Sequence, residues 1–339
     1  MAEEDIGLDE APEGAHGESG KVGHVSVLLK EAIDFLAVRP GGTYIDATVG
    51  LGGHSIEIAR RLGERGRLIG FDKDTHALNL ARRRLIGAER FPEGELPQVT
   101  LIHSSFAEVG RFSPAGGVDG LLADLGTSSM QFANAARGFS FQAEGPLDMR
   151  MDPHGDRTAD QVVNHMREGD LANVIYEYAE ERRSRRIARA IVRARPIQTT
   201  AHLATVISAA LRSMKNDSGA GKTGSHGRHG RSERIHPATK TFQAIRIYVN
   251  RELDDLKALL DAAPGILKPE GRLVVISFHS LEDRPVKDAM RDGAKAGTYR
   301  LLTKKPVVAE EAEVDRNPRS RSAKLRAAEK IEAAPQRHK

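Results

Sequence analysis

The chain has 339 residues, with 51 lysines and arginines against 47 aspartates and glutamates for a formal net charge of +4, and that length allows one large hydrophobic core or two moderate ones. It contains no cysteine, which excludes disulfides, thiolate nucleophiles and cysteine-ligated zinc or iron–sulfur clusters and leaves oxygen and nitrogen chemistry. No apolar run approaches the roughly 20 residues of a membrane span, and the acidic start lacks the charged-then-apolar order of a secretory signal, so a cytoplasmic protein is expected.

Residues 1–22 are acidic, glycine-rich and nearly without large apolar side chains, the composition of a disordered tail. From 27 to 37 apolar residues recur at helical spacing until Pro40-Gly41-Gly42 breaks the pattern. Tyr44-Ile45-Asp46 then reads as a strand that runs through a glycine-rich turn into a helix over 56–62. Gly50, Gly52 and Gly53 remove the Cβ atoms that would hold a ligand off the backbone, and the first amides of the helix are unpaired donors. A second strand, 67–72, ends in Asp72, about 20 residues beyond the glycines, the spacing of an acid that grips ribose hydroxyls. The order here is G-x-G-G-H and not the G-x-G-x-x-G of nicotinamide-binding folds. An acid in the strand before the glycines, Asp46, matches class I folds that bind S-adenosylmethionine, by analogy of fold.

A helical pattern over 75–85 and strands at 99–103 and 118–124 continue the alternation, which implies a parallel sheet with right-handed crossovers. The alternation then stops. Helices are expected at 159–165, 171–178, 180–193 and 203–211, the third strongly basic, with Arg195-Pro196 as a stop. Residues 218–232 are rich in Gly, Ser, His and Arg, as in a mobile loop. A helix over 239–260 and a near-continuously apolar, centrally buried strand over 271–278 complete the pattern. The expected organisation is a tail at 1–22, an α/β domain over 23–140 and 236–339, and an inserted helical substrate-recognition subdomain over 141–235 with a mobile loop at 215–235.

In a doubly wound sheet, ligands sit at the carboxyl ends of the strands. Asp46 with the glycines, Asp72, Ser104 to Phe106, Asp124 and His279-Ser280 all fall there. Taken singly, Asp72 also reads as a helix cap, His279 as a satisfied core histidine and Phe106 as packing. The fourth strand continues as Asp124-Leu125-Gly126-Thr127-Ser128-Ser129-Met130-Gln131, an acid followed by a small-residue turn. An exocyclic base amine is a poor nucleophile because its lone pair is delocalised. Acceptors aimed at its N–H groups, from Asp124 or from carbonyls of 124–128, favour the nucleophilic form and stabilise the charge developing on nitrogen. Positioning alone supplies roughly 7–11 kcal/mol of a barrier, so no covalent intermediate is needed; cytosine ring-carbon methylation, by contrast, usually needs a thiolate. The arginines at 182, 183, 185, 186, 189, 193 and 195, and the basic run 316–330, suit a polyanion. The helix 182–193, with Arg185 and Arg186, and the segment 316–330 are expected to grip RNA phosphates.

Six motifs carry a specific resemblance: Asp46-x-Thr48-x-Gly50-x-Gly52-Gly53-His54, Asp124 to Ser129, Arg137-Gly138-Phe139-Ser140-Phe141, Gly145 to Asp152, His236 to Arg246, and Ser277-Phe278-His279-Ser280-Leu281-Glu282-Asp283. Together they resemble the bacterial 16S ribosomal RNA cytosine-N4 methyltransferases of the MraW/RsmH type, from about residue 24 to 330. The resemblance implies a class I S-adenosylmethionine-dependent methyltransferase, Rossmann-like with a mainly parallel sheet and an inserted α-helical subdomain. The implied reaction methylates the N4 amine of a decoding-centre cytidine in 16S ribosomal RNA, within the small ribosomal subunit. It assigns S-adenosylmethionine contact to Gly52, Gly53, His54, Asp72, Phe106, Asp124 and Gln131, with Asp72 on the ribose, Phe106 on adenine and the 52–54 backbone facing the methionine portion. Asp124 is then the catalytic residue, and His279 and Ser280 join Arg185 and Arg186 in binding substrate. Lys240 departs from the arginine that many relatives carry there. No metal and no membrane are assigned, and a homodimer is compatible with the reading. Two other classes fit parts of the pattern: a non-catalytic RNA-binding or ribosome-assembly factor that retains a nucleotide-binding fold, and a small-molecule enzyme, for which the basic helix has no use.

Overall fold

A computed structural model describes residues 26–86, 91, 96–212 and 236–332. The expected tail at 1–22 and loop at 215–235 lie outside the described residues. The α/β part begins with helix α1 (Leu29–Leu36) and strand β1 (Thr43–Asp46), followed by α2 (Gly53–Leu62), β2 (Arg67–Asp72), α3 (Thr75–Ile86), β3 (Gln98–His103), the short α4 (Val109–Phe112) and β4 (Val118–Asp124). After the single turn α5 (Ser129–Ala133) come α6 (Glu168–Ala179), α7 (Ser184–Arg193) and α8 (Thr200–Arg212). The chain returns through α9 (Thr239–Asn250), α10 (Glu252–Ile266), β5 (Leu267–Ser277), α11 (Ser280–Lys295), β6 (Tyr299–Leu301), α12 (Glu311–Arg316) and β7 (Lys324–Lys330).

The strands form one sheet in the order β3-β2-β1-β4-β5-β7-β6. The first five pair in parallel, and β7 runs antiparallel to both β5 and β6. Successive side chains of a strand point to opposite faces, and each face is covered. Leu122 and Val274 pack with Ile33, Ile58 and Leu78 of the first three helices, whereas Leu121 and Val275 pack with Leu256 and Leu259 of α10. The chain winds outward from β1 to β3 and then crosses back to β4 beside β1, so a crevice opens at the carboxyl ends of those two strands. Among the described residues no helix is long and apolar enough to cross a membrane.

A third core cluster unites Phe139 and Leu147 with Ile175 of α6, Ile187 and Ile191 of α7, Ile207 of α8, and Phe242, Ile245 and Val249 of α9. Helix α9, expected to belong with the α/β domain, therefore completes the helical core. The helix expected over 239–260 is two helices, because Arg251 adopts a left-handed φ of 54° between α9 and α10. Neither Gly nor Pro marks that break. The helix expected over 180–193 starts only at Ser184, since Glu180 ends α6 in the left-handed region. The segment expected as a helix over 159–165 is a single wide turn, Gln161–His165.

Strands β6 and β7 were not anticipated, and they correct the expectation that the whole run 316–330 grips phosphates. Leu325, Ala327 and Ala328 are buried in the sheet, and the charges of β7 are answered inside the protein. Arg326 donates to both oxygens of Asp283 at 2.6 and 3.2 Å, Glu329 pairs with Arg272 at 2.7 Å, and Lys330 Nζ donates to the Leu267 carbonyl at 2.6 Å. The pairing partners lie far away in the chain, so a local reading of charge could not find them.

Candidate active site

The glycine turn is held from below by two acids. Asp46, buried at the end of β1, accepts from the Ser55 hydroxyl at 2.5 Å and the Thr48 amide at 3.1 Å. Asp72, at the end of β2, accepts from the Gly50 amide at 2.7 Å and the Asp74 amide at 2.8 Å. Burial raises each of these two carboxyls to about 6. Gly52 takes φ 79° and opens α2. At Gly53 the backbone comes so close to the N-terminal segment that a Cβ would stand 1.8 Å from Ser26 Oγ, so a side chain there would displace Ser26.

One cavity of about 850 Å³ opens here, within the usual size of small-molecule sites. Gly53, His54, Asp72, Phe106, Asp124 and Gln131 all line it. Gly52 does not; it forms the turn and faces Ala81 of α3. Gln131 is committed within the protein: its Oε1 accepts from Ser128 N at 3.0 Å and its Nε2 donates to Asp74 Oδ2 at 3.0 Å. This capping box of α5 sets the path of the loop after β4 and fixes the Gln131 amide where it lines the cavity.

His54 Nε2 lies 3.1 Å from the Val27 carbonyl. A carbonyl only accepts, so that nitrogen carries the hydrogen, and Nδ1 is turned toward Asp124 Oδ2 at 3.7 Å. Burial, reinforced by the charge of Asp46, holds the Asp124 carboxyl well above the usual carboxylate range. Its other oxygen, Oδ1, is buried with no hydrogen-bond partner among the described residues. An orphaned buried acceptor costs roughly 1–3 kcal/mol, which a donor or a cation placed in the cavity would recover.

Deeper on the same wall, Arg246 forks onto Glu252 with two bonds of 2.8 Å. Beside it, Glu282 accepts from the Phe278 amide at 2.8 Å and is pushed up to about 7 by burial, against the pull of Arg246. His279 Nε2 lies 3.2 Å from Glu282 Oε1. Burial and the Arg246 charge lower His279 to about 3, so the ring is neutral near pH 7. His279 lines the cavity. Ser280, by contrast, is exposed in the first turn of α11 and is not part of the lining. Arg185 and Arg186 also lie away from the cavity, on the solvent side of α7, whose Ile187, Ala188 and Ile191 are buried.

The structure adds Asp74, which sequence reading passed over as a plain residue before α3. Fully buried, it accepts from Arg137 Nη1 at 2.8 Å as well as from Gln131. Arg137 also donates to the carbonyls of Arg150 and Met151 at 2.9 Å each. The Asp72-Lys73-Asp74 corner thereby ties the cofactor side to the helical subdomain. Its signal was present in the Arg137 and 145–152 motifs, but not its partner. Facing this corner, Phe139, Phe141, Phe242 and Phe278 give the cavity an apolar half suited to a flat aromatic ring. Among the described residues no three His, Asp or Glu side chains are grouped to hold a metal ion.

The strand order, the antiparallel seventh strand, the glycine turn after β1 and the acid after β2 define a class I S-adenosylmethionine-dependent methyltransferase. The residues present fit that cofactor: the glycine turn lines the cavity, and the unpaired Asp124 oxygen would be answered there by a methyl donor that is a cation. The chain belongs to the MraW methylase family, whose profile matches residues 21–331. It is 65% identical to the ribosomal RNA small subunit methyltransferase H of Koribacter versatilis, over 94% of this chain and 97% of that protein. The protein of the same name from Acidobacterium capsulatum is 59% identical over 91% of this chain and 98% of its own length. Among solved structures, an rRNA methylase from Streptococcus thermophilus aligns over 91% of this chain and 100% of its own, with 12% identity and a TM-score of 0.39.

Proposed function

We propose that this chain transfers the methyl group of S-adenosylmethionine to the exocyclic N4 amine of a cytidine in the decoding centre of 16S ribosomal RNA, acting in the cytoplasm on the small ribosomal subunit. Its relatives are named for methylation of small-subunit ribosomal RNA. The observation that carries the choice of an amine is the unpaired Oδ1 of Asp124, at the end of β4 in a cavity with an apolar aromatic half.

S-adenosylmethionine supplies a sulfonium methyl that a nucleophile displaces in line. Asp72 holds the ribose with the lone pairs its two backbone contacts leave over, Phe106 packs on adenine, and the backbone of Gly53 and His54 faces the methionine portion. On the acceptor side, Asp124 Oδ1 takes a hydrogen bond from the amine and localises the nitrogen lone pair. Once the carbon–nitrogen bond has formed, the nitrogen holds one proton too many. Asp124, a stronger base than an exposed carboxylate because of its burial, is placed to take it. Arg185 and Arg186 hold phosphates away from the pocket, and the cytidine is splayed out of its stack to reach it.

The test is transfer of tritiated methyl to ribosomal RNA from a strain lacking this protein, with the labelled nucleotide mapped in naked RNA and in small subunits. Label at one cytidine N4 is expected. An unlabelled RNA, or a label on ring carbon or ribose, would sink the reading.

A further inference from the structure

Four cationic side chains line the cavity: Lys73, Arg246, Arg316 and Arg319. Two are answered by acids, Lys73 by Asp255 and Arg246 by Glu252. Among the described residues, neither Arg316 nor Arg319 makes an ion pair with a carboxylate; Arg316 Nε donates to the Ala312 carbonyl at 3.0 Å, and Arg319 feels the Asp124 carboxyl without a bond to it. They sit on the segment that joins the end of α12 to the short turn Pro318–Ser322, just before β7. This is the part of the basic carboxyl-terminal run that does not enter the sheet.

Arg319 is oriented by two contacts. Its Nη2 donates to the Thr127 carbonyl at 2.9 Å, and its guanidinium lies 5.0 Å from the ring centre of Phe132. Phe132 is 39% exposed and also lines the cavity. Both contacts are to the loop and helix that follow Asp124, on the acceptor side and away from the glycine turn.

We infer that Arg316 and Arg319 form a phosphate subsite for the nucleotide being methylated, with Phe132 as the stacking face of that subsite. The inference rests on the nucleic-acid methyltransferase reading and extends it to how the target is held. A phosphate suits two guanidinium groups that no carboxylate pairs with, and Arg319 keeps Nη1 for it while Nη2 stays on Thr127. The Thr127 tether links the subsite to the loop that carries Asp124, so a nucleotide anchored by its phosphate has its base delivered to the Asp124 oxygen. Free cytosine or cytidine lacks that anchor. The cofactor's own carboxylate is the competing anion. The placement on Thr127 and Phe132, rather than at the start of α2, favours the nucleotide.

The test measures binding directly, without turnover, by calorimetry on the full chain saturated with S-adenosylhomocysteine. Cytidine 5′-monophosphate is expected to bind about 10- to 100-fold more tightly than cytidine, the range of a charge-assisted contact. Arg316→Ala with Arg319→Ala should abolish that preference, Arg319→Lys should keep part of it, and S-adenosylhomocysteine affinity and thermal midpoint should stay within twofold and a few degrees. On ribosomal RNA the double variant should also lower the log–log salt slope by about 0.7 for each lost contact. Equal binding of the two ligands by the parent protein overturns the inference. So does a loss of S-adenosylhomocysteine affinity in the variants, which would place the arginines on the cofactor. Because the nucleotide comparison needs no methyl transfer, failure of the reaction itself is read separately, in the tritium assay.

Discussion

Two arginine-rich stretches of this chain look alike in sequence and end up opposite in structure. Helix α7 keeps Arg185 and Arg189 exposed around a narrow apolar stripe, and among the described residues Arg185 and Arg186 have no acidic partner. Strand β7 carries Arg326 and Lys330 into the sheet, where Asp283 and a backbone carbonyl answer them. What separates them is the presence of a counter-charge supplied from elsewhere in the fold. A charge answered internally holds the fold together, whereas a charge left open is available to a ligand. The same division runs through the active site, where Asp74 and Glu252 are answered and Asp124 Oδ1 is open.

The comparison breaks most sharply at the two extremes. Arg326→Ala removes the forked contact of the buried Asp283 carboxylate and leaves it only Lys324 at 3.6 Å, which should cost roughly 1.5–3 kcal/mol of stability, seen as a fall in the denaturation midpoint. The part of the protein that remains folded should bind RNA with unchanged salt dependence. Asp124→Asn should do the reverse. Methyl transfer should fall about 100- to 1000-fold, as when an oriented group at a developing charge is lost, with no loss of thermal midpoint. A parent-level rate in Asp124→Asn would remove Asp124 from the chemistry.

Linkage to pH sharpens the same contrast. Glu282 holds its proton up to about 7 in the folded protein, against an ordinary 4.5. Its contribution to stability is full below about 4.5 and is lost as pH rises toward 7, because over that window the unfolded chain releases a proton that the folded chain keeps. The difference between the parent and Glu282→Gln, followed by chemical denaturation across that window, should change by up to about 3 kcal/mol. A flat difference would mean that Glu282 is ionised in the fold. Asp124 gives a related readout through binding. S-adenosylmethionine is a cation and its demethylated product is not, so the affinity ratio in favour of the cation should rise with pH as Asp124 ionises, and Asp124→Asn should flatten it. The smallest effect belongs to the open charges of α7. Arg185→Ala with Arg186→Ala should weaken RNA binding about tenfold near physiological salt and reduce the salt slope by about 1.4, leaving the thermal midpoint unchanged.

Much of the α/β framework was legible because its signals are local. The strands 67–72 and 118–124 were bounded to the residue, and Gly50, Gly53, Asp72, Phe106 and Asp124 fall at the strand ends where a doubly wound sheet binds ligands. Other features left no local mark. Arg251 breaks a helix without a glycine or proline. Ser280 stands beside a cavity-lining residue yet is exposed outside the lining, because it opens α11 on the solvent side of a turn whose other face buries Glu282 and Asp283. Gln131 lines the cavity, and its bonds to Ser128 and Asp74, which hold it there, could not be read from the sequence.

The order of neighbouring residues alone determined the alternating strands and helices, the glycine turn and the acids at its rim, since apolar periodicity and turn chemistry act over a few residues. Tertiary structure decided which charges are cancelled and which stay open. A charge's fate depends on groups brought near by folding: Asp283 for Arg326, 43 positions apart, or Asp74 for Arg137, 63 apart. The burial that lifts Asp124 and Glu282 and lowers His279 is likewise a property of the packed whole.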